Sequence, residues 1–503
     1  MSQRIETGGA NVPVGRNGSA YSRRRRTGQG GEAFALSCFR RGKSATAMTL
    51  TRVRACFGPR RRRAVGQELI CHVGEDVIYT ASRLEAFCFS HMSDVDEELI
   101  LLSAVVAYAD RMVRRTPSSG WLRRLHVVIP VGSPSFWARN GIKNALEDAL
   151  GFITGDHWTF EFERRTEKLL KPKQREFALG EANTIVIPFS NGLDSFAQSR
   201  LLRHEGIDAT PIRLTASNHG LSGDRHWVRD ADGTKFPRVT IPFGLKTDNH
   251  AEPSYRSRTF VFAALAGVAA HLAKSHFIVV PEAGQGSFGP SLVPVGGESP
   301  HRGSHPGFTK RMTHLFNALW GESIHFRHPQ LWRTKGQVLQ QVVQRGVGDG
   351  WVATFSCSQG PRQVHTGRGN RIHCGYCAGC LLRRLAAFAS GLREPEGQYF
   401  LVDLNAPTLQ AGVCADAGRK PGRNDDDIAA HAVMGLEALS RVGNSPDDDF
   451  MIKKNLLDAF PAEELGKAEA SLRGLLAIHR DEWTRFKESL NRRSWVNSQA
   501  AVL

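Results

Sequence analysis

The sequence predicts an α/β fold: a doubly wound parallel sheet carrying an N-terminal α+β domain, a cysteine knuckle and a C-terminal helical extension. Three observations predict it. Residues 184–189, Thr-Ile-Val-Ile-Pro-Phe, form an unbroken apolar and β-branched run, the pattern of a strand buried on both faces. That run passes through a short polar turn, Ser190-Asn191-Gly192-Leu193-Asp194-Ser195, straight into a helical pattern, and the alternation of strand and helix continues to about residue 398. Near the end of that stretch Cys357, Cys374, Cys377 and Cys380 fall at metal-ligand spacing. The expected organisation is a basic tail over residues 1–47, an α+β domain over 48–180, the sheet domain over 181–398 and helices over 399–503.

Composition bounds the class. The chain has 503 residues, 41% hydrophobic and 23% charged, which describes a soluble globular protein with a large core. The longest apolar stretch, residues 260–270, is about half of the ~20 residues a membrane span needs, and its alanines suit a buried helix. No charged segment leads into an apolar secretory stretch, so the expectation is a cytoplasmic protein without a membrane partner. The formal charge of +17 is local: residues 1–66 carry 15 Lys and Arg against Glu6 and Glu32, leaving +4 for the rest. Nucleic acid is therefore not an expected partner of the enzyme body. Residues 1–47, rich in Gly, Ser and Arg, read as a disordered tail or as a stretch upstream of a natural start at Met48. Arg60 to Arg63 read as a solvated hairpin turn between strands.

Within residues 48–180, Ser93 caps a predicted helix running to Arg115, with Asp94, Asp96, Glu97 and Glu98 in its first turn and Arg111, Arg114 and Arg115 in its last. A strand over 125–131, a helix over 134–150 and an alternating strand over 157–162 follow. Nothing in this segment forms a constellation with chemistry.

The central domain does. Two hydroxyls, a carboxylate and a glycine lie where a strand's carboxyl end meets a helix amino terminus, so free N–H groups and the helix dipole make the turn an anion site. A second strand, 209–214, ends in the polar residues 215–220, where ligands of doubly wound sheets bind. Arg256 and Arg258 precede a helix over 259–273. A strand over 277–281 leads to Glu282 and a glycine-rich loop through Gly284, Gly286, Gly289 and Gly297. A loop of that length in a compact domain is either functional or a surface excursion. The C-x2-C-x2-C run of Cys374, Cys377 and Cys380, with Cys357 upstream, brings four thiols to one tetrahedral ion, zinc or an iron-sulfur cluster. Cys38, Cys56, Cys71, Cys88 and Cys414 are scattered and read as core or tail residues. Beyond residue 400, Asp425 to Asp427 and Asp447 to Asp449 each precede an amphipathic segment, and 462–490 has apolar residues at helical spacing. This extension is expected to pack on the core or to support a homodimer.

The turn resembles the SGGxDS loop of the PP-loop ATP pyrophosphatases at five of six positions, with Asn191 in place of one of the two glycines. Joined to the cysteine pattern C...CGxCxxCxxR, whose last position is Arg383, it resembles the 7-cyano-7-deazaguanine synthase (QueC-like) family. His328-Pro329-Gln330-Leu331-Trp332 and Lys335 resemble the family's TPL...K segment. The resemblance covers roughly residues 184–392, and the loop 282–303 departs from the family's GYPDCR version. Long chains of this layout look like the QueC-like members of Qat-type anti-phage operons, which implies operon partner proteins.

The resemblance implies an adenine nucleotide α-hydrolase-like fold and an ATP-dependent C–N ligase using ATP, Mg²⁺ and a structural Zn²⁺. Phe189, Ser190, Asn191, Gly192, Leu193, Asp194 and Ser195 would hold the nucleotide, with Asp194, Ser195, Lys335 and Arg258 as catalytic residues. Glu282, Gly284, Gly286 and Arg383 would bind a deazaguanine carboxylate, and Cys357, Cys374, Cys377 and Cys380 the zinc. The activated carboxylate would meet ammonia or an amine and leave as an amide or, after a second step, a nitrile, as in queuosine biosynthesis. Three alternatives stand beside this reading: conjugation to an amine of a partner protein, a PP-loop tRNA-modifying enzyme, and an inactive scaffold.

Overall fold

The structure is a computed structural model describing residues 50–58, 68–80, 82–88, 90–116, 119–167, 185–190, 192–207, 209–215, 227–229, 235–246, 250–293, 301–359 and 372–502. The first part of the chain runs β1 (Leu50–Cys56), β2 (Glu68–His72), β3 (Val77–Tyr79), α1 (Ser82–Cys88), α2 (Asp94–Met112), β4 (Arg124–Val131), α3 (Pro134–Trp137), α4 (Asn140–Thr154) and β5 (His157–Arg164). Ser93 caps α2 in a reciprocal capping box with Asp96. The single helix expected over 134–150 is two, because Arg139 takes an extended conformation (φ −56°, ψ 132°) that a helix cannot pass through. Strands β2, β1, β4 and β5 form a sheet that is parallel throughout. The hairpin expected around Arg60 to Arg63 is corrected by this pairing, since β1 and β2 run parallel; residues 59–67 themselves lie outside the described residues.

The chain continues through β6 (Ile185–Pro188), α5 (Leu193–His204), β7 (Ala209–Thr215), β8 (Trp227–Arg229), β9 (Lys235–Pro237), β10 (Val239–Leu245), α6 (Arg258–Leu272) and β11 (Phe277–Val279). Then come α7 (Gly284–Leu292), α8 (Pro306–Trp320), β12 (His325–Arg327), α9 (Lys335–Gln344) and α10 (Ala378–Ala389). The second sheet has the order β12-β11-β6-β7-β10-β3. Its first five strands are mutually parallel, and β3 adds an antiparallel edge. β6 is buried on both faces as its composition predicts: Ile185 and Ile187 pack with Leu202 of α5 and Val279, while Val186 joins the core that contains α6.

That core does not stop near residue 180. It runs without interruption from Val53 and Leu99 through Val127 and Leu146 to Ile241, Leu265 and Phe316, and α2 packs on α6 while α4 packs on α8. A buried ion network joins the same parts. Asp110 and Asp156 are shared by Arg115 and Arg123, and Asp110 also accepts the backbone N–H of Ser257 at the start of α6. Despite burial, Arg123 and then Arg115 hold the Asp110 carboxyl below the ordinary value.

The last segment is helical: α11 (Arg423–Arg441), α12 (Pro446–Ala459), α13 (Leu465–Glu488) and α14 (Trp495–Ala500). Both aspartate triplets sit at helix starts, where Asp425 and Asp448 accept backbone N–H groups of the residues before them. Leu472, Leu475 and Leu476 of α13 pack with Phe288 and Leu331, and Trp483 packs with the cysteine segment. The described residues from Leu50 onward belong to one compact unit. Among them no helix is long and apolar enough to cross a membrane.

Candidate functional site

Along the second sheet the parallel strands read β12, β11, β6, β7, β10, so the order reverses between β6 and β11. Ligands of open α/β sheets bind at such a reversal, outside the carboxyl ends of the strands. A cavity of about 660 Å³ lies there. Its wall includes Ser190, Gly192 and Asp194 from the turn after β6, Glu282 from the end of β11, Lys335 from the start of α9, and Arg258 from the start of α6.

The turn is held by its own hydroxyls. Ser195 Oγ accepts the Ser190 backbone N–H at 3.1 Å and lies 3.0 Å from Ser190 Oγ, which in turn accepts the Gly192 N–H at 3.1 Å. Gly192 caps α5 and makes no side-chain cap hydrogen bond, so the N–H groups of the first turn depend on other partners. The nearest backbone beyond the turn is that of Phe355, and the Leu193 N–H donates to Ser356 Oγ at 3.4 Å.

Beside the turn, Lys335 Nζ lies 2.5 Å from Asp194 Oδ2 and 3.7 Å from Glu282 Oε1. Burial works against the ammonium, but Asp194 and Glu282 together raise its pKa. One cation cannot neutralise two carboxylates. Burial and the Asp194 charge therefore push the Glu282 carboxyl up to about 7. Asp194 Oδ1 is buried with no hydrogen-bond partner among the described residues, an acceptor ready for a cation or a bound water.

The glycine-rich segment after Glu282 is not the loop expected from its composition. Residues Gly284–Leu292 are helix α7, and its glycines serve close packing. A Cβ at Gly286 would stand 2.1 Å from Glu282 Oε1, so the carboxylate occupies the space a side chain would fill. A Cβ at Gly284 would stand 2.1 Å from the Leu331 carbonyl oxygen and 2.5 Å from Leu475 Cδ2. Gly286 lines the cavity; Gly284 faces the helical extension instead. Residues 294–300, with Gly297, lie outside the described residues, as do Asn191 and 216–220.

Of the other expected residues, Leu193 and Ser195 are buried under the turn and Phe189 is at the edge of the core. Arg383 does not reach the cavity. It is 0% exposed, donates to Glu394, the Thr354 hydroxyl and the Trp351 and Val352 carbonyls, and stands over the Trp351 ring. It is a strut beneath the segment that carries Phe355, Ser356 and Cys357 to the wall. Several wall residues had no motif to announce them: Gln285, His301, Ser356 and, on α11, His431, Gly435 and Leu436. Only tertiary packing brings α11 to the site.

Cys357, Cys374, Cys377 and Cys380 converge, their sulfurs all within 4.8 Å of one another. Cys374 and Cys380 are 3.7 Å apart, the edge length of about 3.8 Å for a tetrahedron with zinc–sulfur bonds of about 2.3 Å. Two sulfurs accept backbone N–H groups, Cys357 from Cys374 and Cys374 from Cys377, at 3.3 and 3.2 Å. Gly375 makes the knuckle with φ +88°, and a Cβ there would stand 2.5 Å from the Leu401 carbonyl oxygen. The donor set and spacing suit a four-thiolate metal site. Cys357 and Gly379 also touch the cavity, so the cluster supports its wall. Cys56, Cys71, Cys88 and Cys414 take no part in it.

No protein-family model and no curated protein sequence matches this chain.

Proposed function

We propose that this chain is a PP-loop ATP pyrophosphatase of the QueC-like type, which activates a deazaguanine carboxylate by adenylation and releases pyrophosphate. The observation that carries the reading is the Asp194–Lys335–Glu282 cluster beside the Ser190 to Ser195 turn, set where the strand order reverses. The order β10, β7, β6, β11, β12 is that of doubly wound nucleotide-binding sheets.

A carboxylate is a poor electrophile, and making a C–N bond from it requires its oxygen to leave. Transfer to the α-phosphate of ATP supplies that leaving group. In this chain the hydroxyls of Ser190 and Ser195 and the N–H groups opening α5 receive the β and γ phosphates. Lys335, already between two carboxylates, and Arg258 at the mouth of α6 oppose the charge that gathers on the α-phosphate. Asp194 Oδ1, buried and without a partner among the described residues, would face Mg²⁺, which screens the phosphates when bound. The four thiolates would hold zinc with no open position, so its role is to fix the knuckle and the wall beside it.

ATP–pyrophosphate exchange, run with and without 7-carboxy-7-deazaguanine, tests the proposal. Exchange that depends on the carboxylate is the expected result. Exchange that is absent with it, or equal without it, rejects this function.

A further inference from the structure

The C-terminal extension meets the site from beneath, through two buried hydrogen-bond chains that end on α9. His479 and Glu482, three residues apart on α13, share one face of that helix. His479 Nε2 lies 3.1 Å from the Leu436 carbonyl oxygen, which can only accept, so this nitrogen carries the proton and Nδ1 is bare. Nδ1 then accepts from Gln285 Nε2 at 2.8 Å, which turns the other end of the amide toward α9. There Gln285 Oε1 accepts the backbone N–H of Lys335 at 2.7 Å. Each member has one possible orientation. The relay excludes water, with His479 0%, Gln285 5% and Lys335 7% exposed. Burial pushes the His479 pKa down to about 4, so the ring is neutral at pH 7, as this bonding requires.

The second chain runs alongside. Glu482 Oε1 accepts the Thr334 hydroxyl proton at 2.6 Å, while the same Thr334 oxygen caps α9 by accepting the Gln337 N–H at 3.1 Å. Glycine at 336 leaves room for both neighbours: a Cβ there would stand 2.7 Å from Ala389 Cβ and 2.8 Å from Glu482 Oε1. The extension thus holds Thr334 directly and the Lys335 backbone through Gln285.

We propose that His479 and Glu482 of the C-terminal extension are positioning residues for Lys335, which set the backbone from which its ammonium reaches the Asp194 side of the cavity. The inference rests on the reading of that cavity as the nucleotide site for its kinetic consequence, though not for its geometric one. Displacement of a catalytic cation by ~1 Å lowers turnover by about 100-fold. A role confined to stability would lower the melting temperature and leave the turnover of folded protein unchanged.

The test uses the full chain and two readouts: kcat for AMP formation, and the ε-methylene NMR resonance of Lys335, assigned with Lys335→Arg. His479→Leu is expected to shift the resonance and to lower kcat about 10- to 100-fold with a smaller change in KM for ATP. His479→Asn, whose amide oxygen can stand near Nδ1 and accept from Gln285, restores both. Glu482→Leu and its partial mimic Glu482→Gln form a second pair should His479→Leu fail to fold. A Lys335 resonance unmoved in folded His479→Leu or Glu482→Leu protein overturns the inference, whether or not the wild type makes AMP. A resonance that moves and is restored, in a wild type that makes no AMP, upholds the positioning and rejects the adenylation reading instead.

Discussion

A single ammonium shared by two carboxylates governs the site at the scale of the residue. Lys335 is closest to Asp194, 2.5 Å against 3.7 Å for Glu282, so removing the Asp194 charge takes away the cation's nearest partner and one of the causes that raise the Glu282 pKa. Asp194→Asn is nearly isosteric and should melt within a few degrees of wild type, yet lower AMP formation by about 100-fold or more. Wild-type rates in Asp194→Asn would remove the turn from the chemistry. The cysteines make a different kind of prediction, since their ligand geometry is formed by the backbone N–H groups and by Gly375. Purified protein should carry one zinc, and Cys377→Ser should lose it together with folding stability, because metal binding and folding are coupled. Iron with acid-labile sulfide in the purified protein, or zinc retained in Cys377→Ser, would count against that assignment.

At the scale of the element, α7 shows what a sequence can and cannot display. The strand over β6 and the cap at Ser93 follow rules of local chemistry, and both stand in the structure where those rules place them. The segment after Glu282 obeys a tertiary rule instead. Gly284, Gly286 and Gly289 look like a flexible loop to any local reading, but a Cβ at Gly284 would overlap the Leu331 carbonyl and one at Gly286 the Glu282 carboxylate, while one at Gly289 would press on Leu439 at 3.3 Å. The same blindness hid the contribution of α11 and α13, whose His431 and His479 sit in sequences without a motif; the substrate role of Arg383 comes instead from the family pattern, and its guanidinium is spent on the Trp351 to Thr354 backbone. The two glycines separate packing from chemistry. Gly284→Ala drives a methyl into a backbone carbonyl that cannot turn away, and should destabilise by about 3 kcal/mol or more. Gly286→Ala meets only the far end of the Glu282 side chain, which can swing aside. It should cost less stability than Gly284→Ala but move the carboxylate out of the cavity, so that its effect is larger in AMP formation than in thermal denaturation. Equal losses of stability in the two variants would show that Glu282 is as immobile as backbone.

At the scale of the whole molecule, one core and many buried titratable groups make stability respond to pH in a defined way. Burial holds His301, His305, His328 and His479 neutral below the ordinary imidazole value of 6.5, His305 down to about 3 and His328 and His479 to about 4. The unfolded chain takes up those protons below 6.5 and the folded chain does not, so these groups subtract stability as the pH falls from 6.5 toward 4. Glu97, Glu282 and Glu482 act in the opposite sense. Burial raises each from 4.5 to about 7, so their contribution is fully present below 4.5 and is lost as the pH rises through 7. Between pH 6.5 and 4.5 the two sets largely offset each other. Below 4.5 the glutamates contribute nothing further, while the histidines continue to titrate in the unfolded state's favour. Asp110, Glu252, Glu437 and Asp425 now join them: held below their ordinary values by partners that outweigh burial, Asp425 down to about 2, they too lose stability as they are protonated. The melting temperature should therefore stay nearly level from pH 6.5 to 4.5 and fall steeply below, and Glu482→Gln, which carries the neutral form at every pH, should raise it more at pH 7 than at pH 4.5. A steep decline already under way at pH 6, with no such difference for Glu482→Gln, would mean that the buried glutamates are ionised in the fold and that the balance drawn between them and the histidines is wrong.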